Sequence, residues 1–281
     1  MAQVPAVQNE WTHEDLRNLL SAVDVLERPS LPMKLTNLLG TPIEYLVSRL
    51  PANARQIIHS ATDQALRRAM DRAVNSIKPW HTTAINAHRG FAGLTGGVGG
   101  LLGLPGLAVE LPVTTVIMLR AIAAVARDEG EDLGDLEARL SCLSVFALAS
   151  RTHSEDATES SYFIMRGGLA LMVSEATTHI STRGLAGDSL NPIVRLLAAI
   201  SRRFGTAVTE KLAAQTVPIV GGVGGASINV LFTSHFQAVA KGHFTVRRLE
   251  RRYGRQAVQE AYQQMREQLN QYHAGTRAHA G

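Results

Sequence analysis

The feature that most constrains this chain is a run from Phe91 to Val109, nineteen residues without a formal charge, seven of them glycine. Inside it Gly-Gly-Val-Gly-Gly spans 96–100, and the same five residues return at 221–225. Each interior glycine costs a helix about 1 kcal/mol relative to alanine, so a helix of this composition persists in water only when packed against a neighbour. The pairs Gly93/Gly97, Gly96/Gly100 and Gly99/Gly103, and later Gly221/Gly225 and Gly222/Ala226, stand four apart. On a helix that spacing leaves a flat groove where another backbone can approach closely. Two glycine-rich apolar elements packed on each other at the centre of a helical protein are therefore expected. A phosphate-cradling loop is not: a Gly-x-Gly-x-x-Gly pattern needs glycine at 102 and 227, where Leu102 and Ser227 stand, and no Gly-Lys-Ser/Thr occurs.

As a helix the first run would be about 28 Å long at about 1.5 Å per residue, close to the roughly 30 Å hydrocarbon core of a bilayer. Pro105 argues against a straight span, and Glu110-Leu111-Pro112 reads as a break, with Pro112 opening a second apolar helix to Arg127. Arg120 falls midway along that helix, a position that costs about 2.5–3.5 kcal/mol on insertion. A transmembrane hairpin is thus disfavoured. Apolar residues at 45%, charged residues at 19% and a mean hydropathy of +0.01 fit a membrane-adjacent or ligand-enclosing protein rather than a polytopic one. Cys142 stands alone in an apolar helix, so no internal disulfide forms and a buried structural thiol is expected. The polar stretch from Met1 to Trp11 lacks a secretory apolar core, from which a cytosolic location is expected.

Periodicity places helices along most of the chain. Thr12 and Asp15 form a variant capping box ahead of Leu16, Leu19, Leu20, Val23 and Leu26, and Pro29 stops that run. Thr41-Pro42-Ile43-Glu44 reads as a second start with Thr41 as cap. A long amphipathic helix follows from Ile57 to Ile77, its polar face carrying Arg67, Arg68, Asp71 and Arg72 to solvent. Further helices are expected from Leu136 to Ala149, from Phe163 to Val173, and from Ile193 until Gly205 closes it. The stripe Ile228, Phe232, His235, Val239, Gly242, Val246, Leu249 and Tyr253 marks one face of a long helix that Gly254 ends. The expected class is all-α, one compact multi-helix domain at 41–254 with an N-terminal arm at 1–40 and a polar helix and tail at 255–281.

The basic character is C-terminal: from Lys241 onward there are eight Lys or Arg against three Glu. Lys241, Arg248, Arg252 and Arg255 fall on one face, read either as a solvated surface or as attraction to anionic lipid headgroups, about 1 kcal/mol per residue. Nucleic acid is not expected, since no aromatic or helix-turn-helix pattern accompanies the charge. The polar residues inside apolar elements, Glu110, Arg120, Asn229, His235 and His243, are the candidate polar site; His235 and Asn229 read first as satisfied core groups. No His-Glu-x-x-His, Gly-x-Ser-x-Gly or metal-ligand spacing is present, so neither metal nor cofactor is expected and an enzyme is the least favoured class.

The run GLLGLPGLAVELPVTTVIMLRAIAAVARDEGEDL and the run VPIVGGVGGASINVLFTSHFQAVAKGHFTVRRLERRYG together resemble the EcsC family of bacterial proteins, over Thr41 to Gly254. The family is named for a protein encoded beside an ABC-type transporter. The resemblance implies a bacterial, cytosolic or membrane-associated protein without an assigned reaction, and it transfers no catalytic residue. The motif positions it carries are Gly103, Gly106, Glu110, Pro112, Thr114, Arg120, Glu131, Asn229, His243, Arg247, Arg248 and Glu250. The function expected first is a helical protein on the cytosolic face of a membrane, partnered by the membrane surface or a membrane protein such as a transporter. Second comes a binding module for a lipid or other apolar ligand, and third an enzyme with an acid-base site around Glu110 and His235 or His243.

Overall fold

The computed structural model describes residues 11–27, 31–75, 85–150, 161–184, 192–217 and 223–278, with side chains described outside 85–105, 161, 223–225 and 273–278. The class is all-α. Ten helices follow in order among the described residues: α1 His13–Glu27, α2 Leu31–Leu39, α3 Ile43–Ser48, α4 Ala54–Asn75, α5 Ile85–Asp128, α6 Leu136–Leu148, α7 Ser161–Arg183, α8 Pro192–Gln215, α9 Val223–Tyr253 and α10 Arg255–Ala278. The N-terminal segment expected as an arm contributes α1 and α2, whose Leu16, Leu19, Val23, Leu31 and Leu35 join the same buried core as the later helices.

Helix α5 packs most extensively on α9, flanked by α4 on one side, while α1 and α10 lie on α9 and α8 covers α3, α4, α6 and α7. The long helices α5 and α9 run in the same direction. Glu110 sits at the level of Phe232, because Lys211 reaches both, at 2.9 Å from the carboxylate and 5.3 Å from the ring centroid. Further along, Glu129 meets Lys241 and Arg248. At the centre Phe146, Phe204, Phe232 and Phe236 interlock with ring centroids 4.8 to 6.3 Å apart. All four are essentially inaccessible to solvent, and tilted aromatic contacts of this kind add about 0.5–1.5 kcal/mol each beyond burial.

Three local expectations are corrected. The break at Glu110-Leu111-Pro112 does not occur, and α5 continues through it. Pro112 forfeits one backbone bond at about 3 kcal/mol. Leu107, Leu111, Met118, Leu119 and Ile122 are buried on the same helix, each contributing about 1.5–3 kcal/mol, which outweighs that loss. Likewise α8 runs past Gly205, since Phe204, Ala207 and Val208 around it are buried. Thr41 does not cap α3: Pro42 holds the N-cap position without a side-chain bond, and the Ile43 amide donates instead to Thr36 Oγ1 at 3.2 Å. Other signals hold. The Asp15 amide donates to Thr12 Oγ1 at 3.1 Å, and Gly254 ends α9 at φ +87°. The packing expected of Gly93, Gly96, Gly97, Gly99, Gly100, Gly103, Gly221, Gly222 and Gly225 lies outside the described residues.

Candidate functional site

The C-terminal end of α5 is shaped by Gly130, which adopts φ +82°. Its amide donates to the Arg127 carbonyl at 2.9 Å, and the Glu131 amide donates to the Ala126 carbonyl at 3.0 Å. This is the double closure of a left-handed helix cap, which requires glycine or tolerates little else at its pivot. The cap turns Glu131 back toward α9. There Arg247 donates through Nε and Nη2 to the two carboxylate oxygens at 2.9 and 2.8 Å, and Arg251 donates to the same group. Arg251 Nη2 also donates to the Glu129 carbonyl at 2.7 Å.

Beside this pair, Glu129 accepts from Lys241 and from Arg248 Nε at 2.8 Å, and Arg248 Nη1 reaches Asp15 on α1 at 2.9 Å. Tyr253 donates to Asp15 at 2.7 Å, stacks on Trp11 at 4.2 Å between centroids, and Arg252 pairs with Asp15 at 3.1 Å. Burial pushes the carboxyls of Asp15, Glu129 and Glu131 up, but the hydrogen bonds from Tyr253, Lys241, Arg247 and Arg248 more than reverse it, and all three lie below the usual carboxylate range. Of the basic face Lys241, Arg248, Arg252 and Arg255, the first three therefore spend their charge inside the protein. Arg255, exposed at the start of α10, makes no ion pair among the described residues.

The candidate polar residues separate. Glu110 is held by Lys211 in a buried ion pair between α5 and α8. His243 lies farther along α9 than Phe232 by about 16 Å, at about 1.5 Å per residue, so Glu110 and His243 do not form one acid-base site. His235 is engaged at both ring nitrogens, donating from Nε2 to the Ala149 carbonyl at 2.8 Å and accepting at Nδ1 from Lys34 at 3.1 Å. Burial and the adjacent Lys34 push its pKa down to about 4. Asn229 is buried on α9, and Arg120 is exposed on α5. Cys142 is fully buried, its thiol pushed up to about 12 mainly by burial.

His243 belongs to a different cluster. Its Nδ1 is 2.9 Å from the Tyr162 hydroxyl, and Arg166 forms a bidentate pair with Glu250 alongside. Burial, with Arg166 and Arg247 nearby, holds the imidazole well below its ordinary pKa, and burial raises the Tyr162 phenol. Arg166 of α7 and His243 and Glu250 of α9 line a cleft of about 400 Å³, together with Ser141 and Ser144 of α6, Arg247 and Arg251 of α9 and Arg255 of α10. Glu131, His243, Arg247, Arg248 and Glu250, five positions carried by the family motifs, thus meet at one end of the α5/α9 pair. Tyr162, Arg166, Glu129 and Lys211 were not singled out by sequence reasoning, and Asp15 was read only as part of the cap of α1. Glu129, two residues before Glu131, carried the nearest available signal.

A second concave surface lies between α4 and α5. Pro112, Val113, Val116 and Ile117 form the floor of a groove of about 630 Å³, and Arg67, Arg68, Arg72 and Arg120 stand around it with Asp71. Val113 is 47% exposed and Val109, one turn earlier, 73% exposed. Asp71 accepts from Asn75 at 2.6 Å. The four arginines form no ion pair among the described residues. Also among the described residues, no group of three His, Cys, Asp or Glu is placed to hold a metal.

Comparison with known proteins agrees with the motif resemblance. The EcsC protein family matches residues 13–249, taking in α1 and nearly all of α9. No curated protein and no solved structure matches the chain. With most of its length matched, the chain belongs to the EcsC protein family.

Proposed function

We propose that the protein associates peripherally with an anionic membrane surface, on the cytosolic side of a bacterial cell membrane, through the α4/α5 groove. The observation that carries this reading is the combination of an apolar floor, Pro112, Val113, Val116 and Ile117, on which Val113 is exposed, with four arginines that form no ion pair among the described residues and a single aspartate, Asp71, beside them. Each arginine near an anionic surface contributes about 1 kcal/mol, so four arginines set against Asp71 supply about 3 kcal/mol, with valine insertion adding to it. Attachment of that strength is reversible and weakens with salt.

Surface attachment is favoured over spanning. The segment Gly106–Asp128 is long and apolar enough to cross a bilayer, yet 61% of its most apolar window is buried against the rest of the protein. A transporter or other membrane protein beside the attachment site is the partner consistent with this placement.

The test is flotation with vesicles containing about one-third anionic lipid, the headgroups that basic surfaces recognise. Wild type is expected to float with anionic vesicles and to remain behind with zwitterionic ones. The triple variant Arg67→Glu, Arg72→Glu, Arg120→Glu is expected to lose flotation. Undiminished flotation of that variant sinks the proposal.

A further inference from the structure

The cleft between α6, α7 and α9 has a donor set that the internal ion pairs do not exhaust. Arg247 uses Nε and Nη2 on Glu131, leaving Nη1, and Arg251 uses Nη1 and Nη2, leaving Nε. Arg255 at the rim has its whole guanidinium unspent among the described residues. Lining charges are four arginines against Glu137 and Glu250, and Glu131 behind them takes one more, so the cleft stays net positive.

His243 supplies the second observation. Its residue is 2% exposed, and Nε2 has no hydrogen-bond partner. Tyr162, which does not line the cleft, holds the ring at Nδ1, and His243 forms part of the cleft wall with Nε2 shut off from solvent. Arg166 directs both Nη groups to Glu250, and the Tyr162 hydroxyl has His243 Nδ1 as its hydrogen-bond partner. A buried polar atom left unmatched costs about 1–3 kcal/mol. On the facing helix the Ser144 hydroxyl donates to the Ser141 carbonyl at 2.7 Å, while the Ser141 side chain has no bond of its own among the described residues.

We propose that this cleft binds a small ligand bearing a tetrahedral oxyanion of the phosphate-monoester class, received by Arg247 Nη1, Arg251 Nε, Arg255 and the Ser141 hydroxyl, with the unmatched His243 in the wall beside them. Donors converging from three helices suit three terminal oxygens better than the two of a carboxylate. A volume of about 400 Å³ accommodates a small phosphorylated molecule. The site is separate from the α4/α5 groove and does not depend on membrane attachment.

The test is calorimetric titration of the full chain with inorganic phosphate, glycerol 3-phosphate and acetate, with vesicles containing phosphatidic acid as a fourth arm. The imidazole ¹⁵N resonances are followed in parallel. Saturable one-to-one binding of a phosphate probe, a shift of the His243 Nε2 resonance, and about tenfold weakening by Arg255→Gln or Ser141→Ala support the proposal. Both variants alter accessible or unbonded groups, so loss of binding is separable from loss of fold by their unchanged melting curves. If only the vesicle arm binds and the same variants weaken it, the oxyanion is a lipid headgroup and the site stands. Equal affinity for acetate overturns the phosphate class. No saturable binding of any probe up to about 10 mM, or binding that Arg255→Gln and Ser141→Ala leave unchanged, overturns the site.

Discussion

The end of α5 that meets α9 and the flank of α5 that meets α4 are both rich in arginine, yet their charges are in opposite states. Around Glu129 and Glu131, Lys241, Arg247, Arg248 and Arg251 are all matched to carboxylates, with Arg248 and Arg252 extending the network to Asp15 on α1. Around Pro112 to Ile117, Arg67, Arg68, Arg72 and Arg120 face solvent across apolar side chains. The density of positive charge along a chain therefore says little about which charges are free to meet a partner. Pairing decides that, and pairing is a property of the fold.

The largest effect is expected where the network is deepest. Glu131→Gln leaves Arg247 and Arg251 without their shared carboxylate while Glu129 stays engaged elsewhere. Removing one member of a buried pair destabilises by about 3–5 kcal/mol, and a urea melt showing less than about 1 kcal/mol would mean the network is ornamental.

A pH series sharpens the same contrast. Asp15, Glu129 and Glu131 have pKa values held below their unfolded ones, so their contribution is present above about pH 4 and is lost as pH falls through the lowered values. Glu210 behaves inversely. Burial, with Glu44 nearby, pushes its pKa up to about 8. Its folded form binds a proton that the unfolded form has released, and stability declines as pH rises from the ordinary carboxylate value toward 8. Glu210→Gln is accordingly expected to raise stability at pH 8 by about 1–2 kcal/mol, discounted for partial exposure, and to be neutral at pH 4. A stability gain that is the same at both pH values would contradict that assignment.

The smallest stability effects distinguish the two arginine sets directly. Arg252→Glu places a second negative charge against Asp15 and is expected to cost about 1 kcal/mol, whereas Arg72→Glu should stay within about 0.5 kcal/mol. Thermal melts of the two variants side by side test it, and equal losses would erase the distinction.

Much of the architecture was legible in the sequence because it rests on local periodicity. The stripe from Ile228 to Leu249 is buried as spaced, Thr12 caps α1, Gly254 ends α9 at positive φ, and Cys142 is buried. Two expected interruptions failed. Pro112 and Gly205 lie within continuous helices because neighbouring side chains are buried, a tertiary gain that a local signal does not contain. The candidate site was less legible. Glu131 and Arg247 are 116 positions apart, and Glu110 and Lys211 are 101 apart. Nothing in spacing distinguishes Arg248, which is paired, from Arg72, which is not. The face from Arg67 to Arg72 read simply as solvated, and Arg120 as an obstacle to insertion. Only the packing of α4 against α5 brings them around one apolar groove.

Which face meets the membrane can be read directly from a polarity-sensitive fluorophore attached at Val113→Cys, with Ile164→Cys on α7 as the comparison. Ile164 is 69% exposed and apolar but lies away from the groove arginines. Cys142, fully buried with its thiol raised to about 12, stays unlabelled in the folded protein. On adding anionic vesicles the account predicts a blue shift at position 113 and none at 164. A shift at 164 with none at 113 would contradict it.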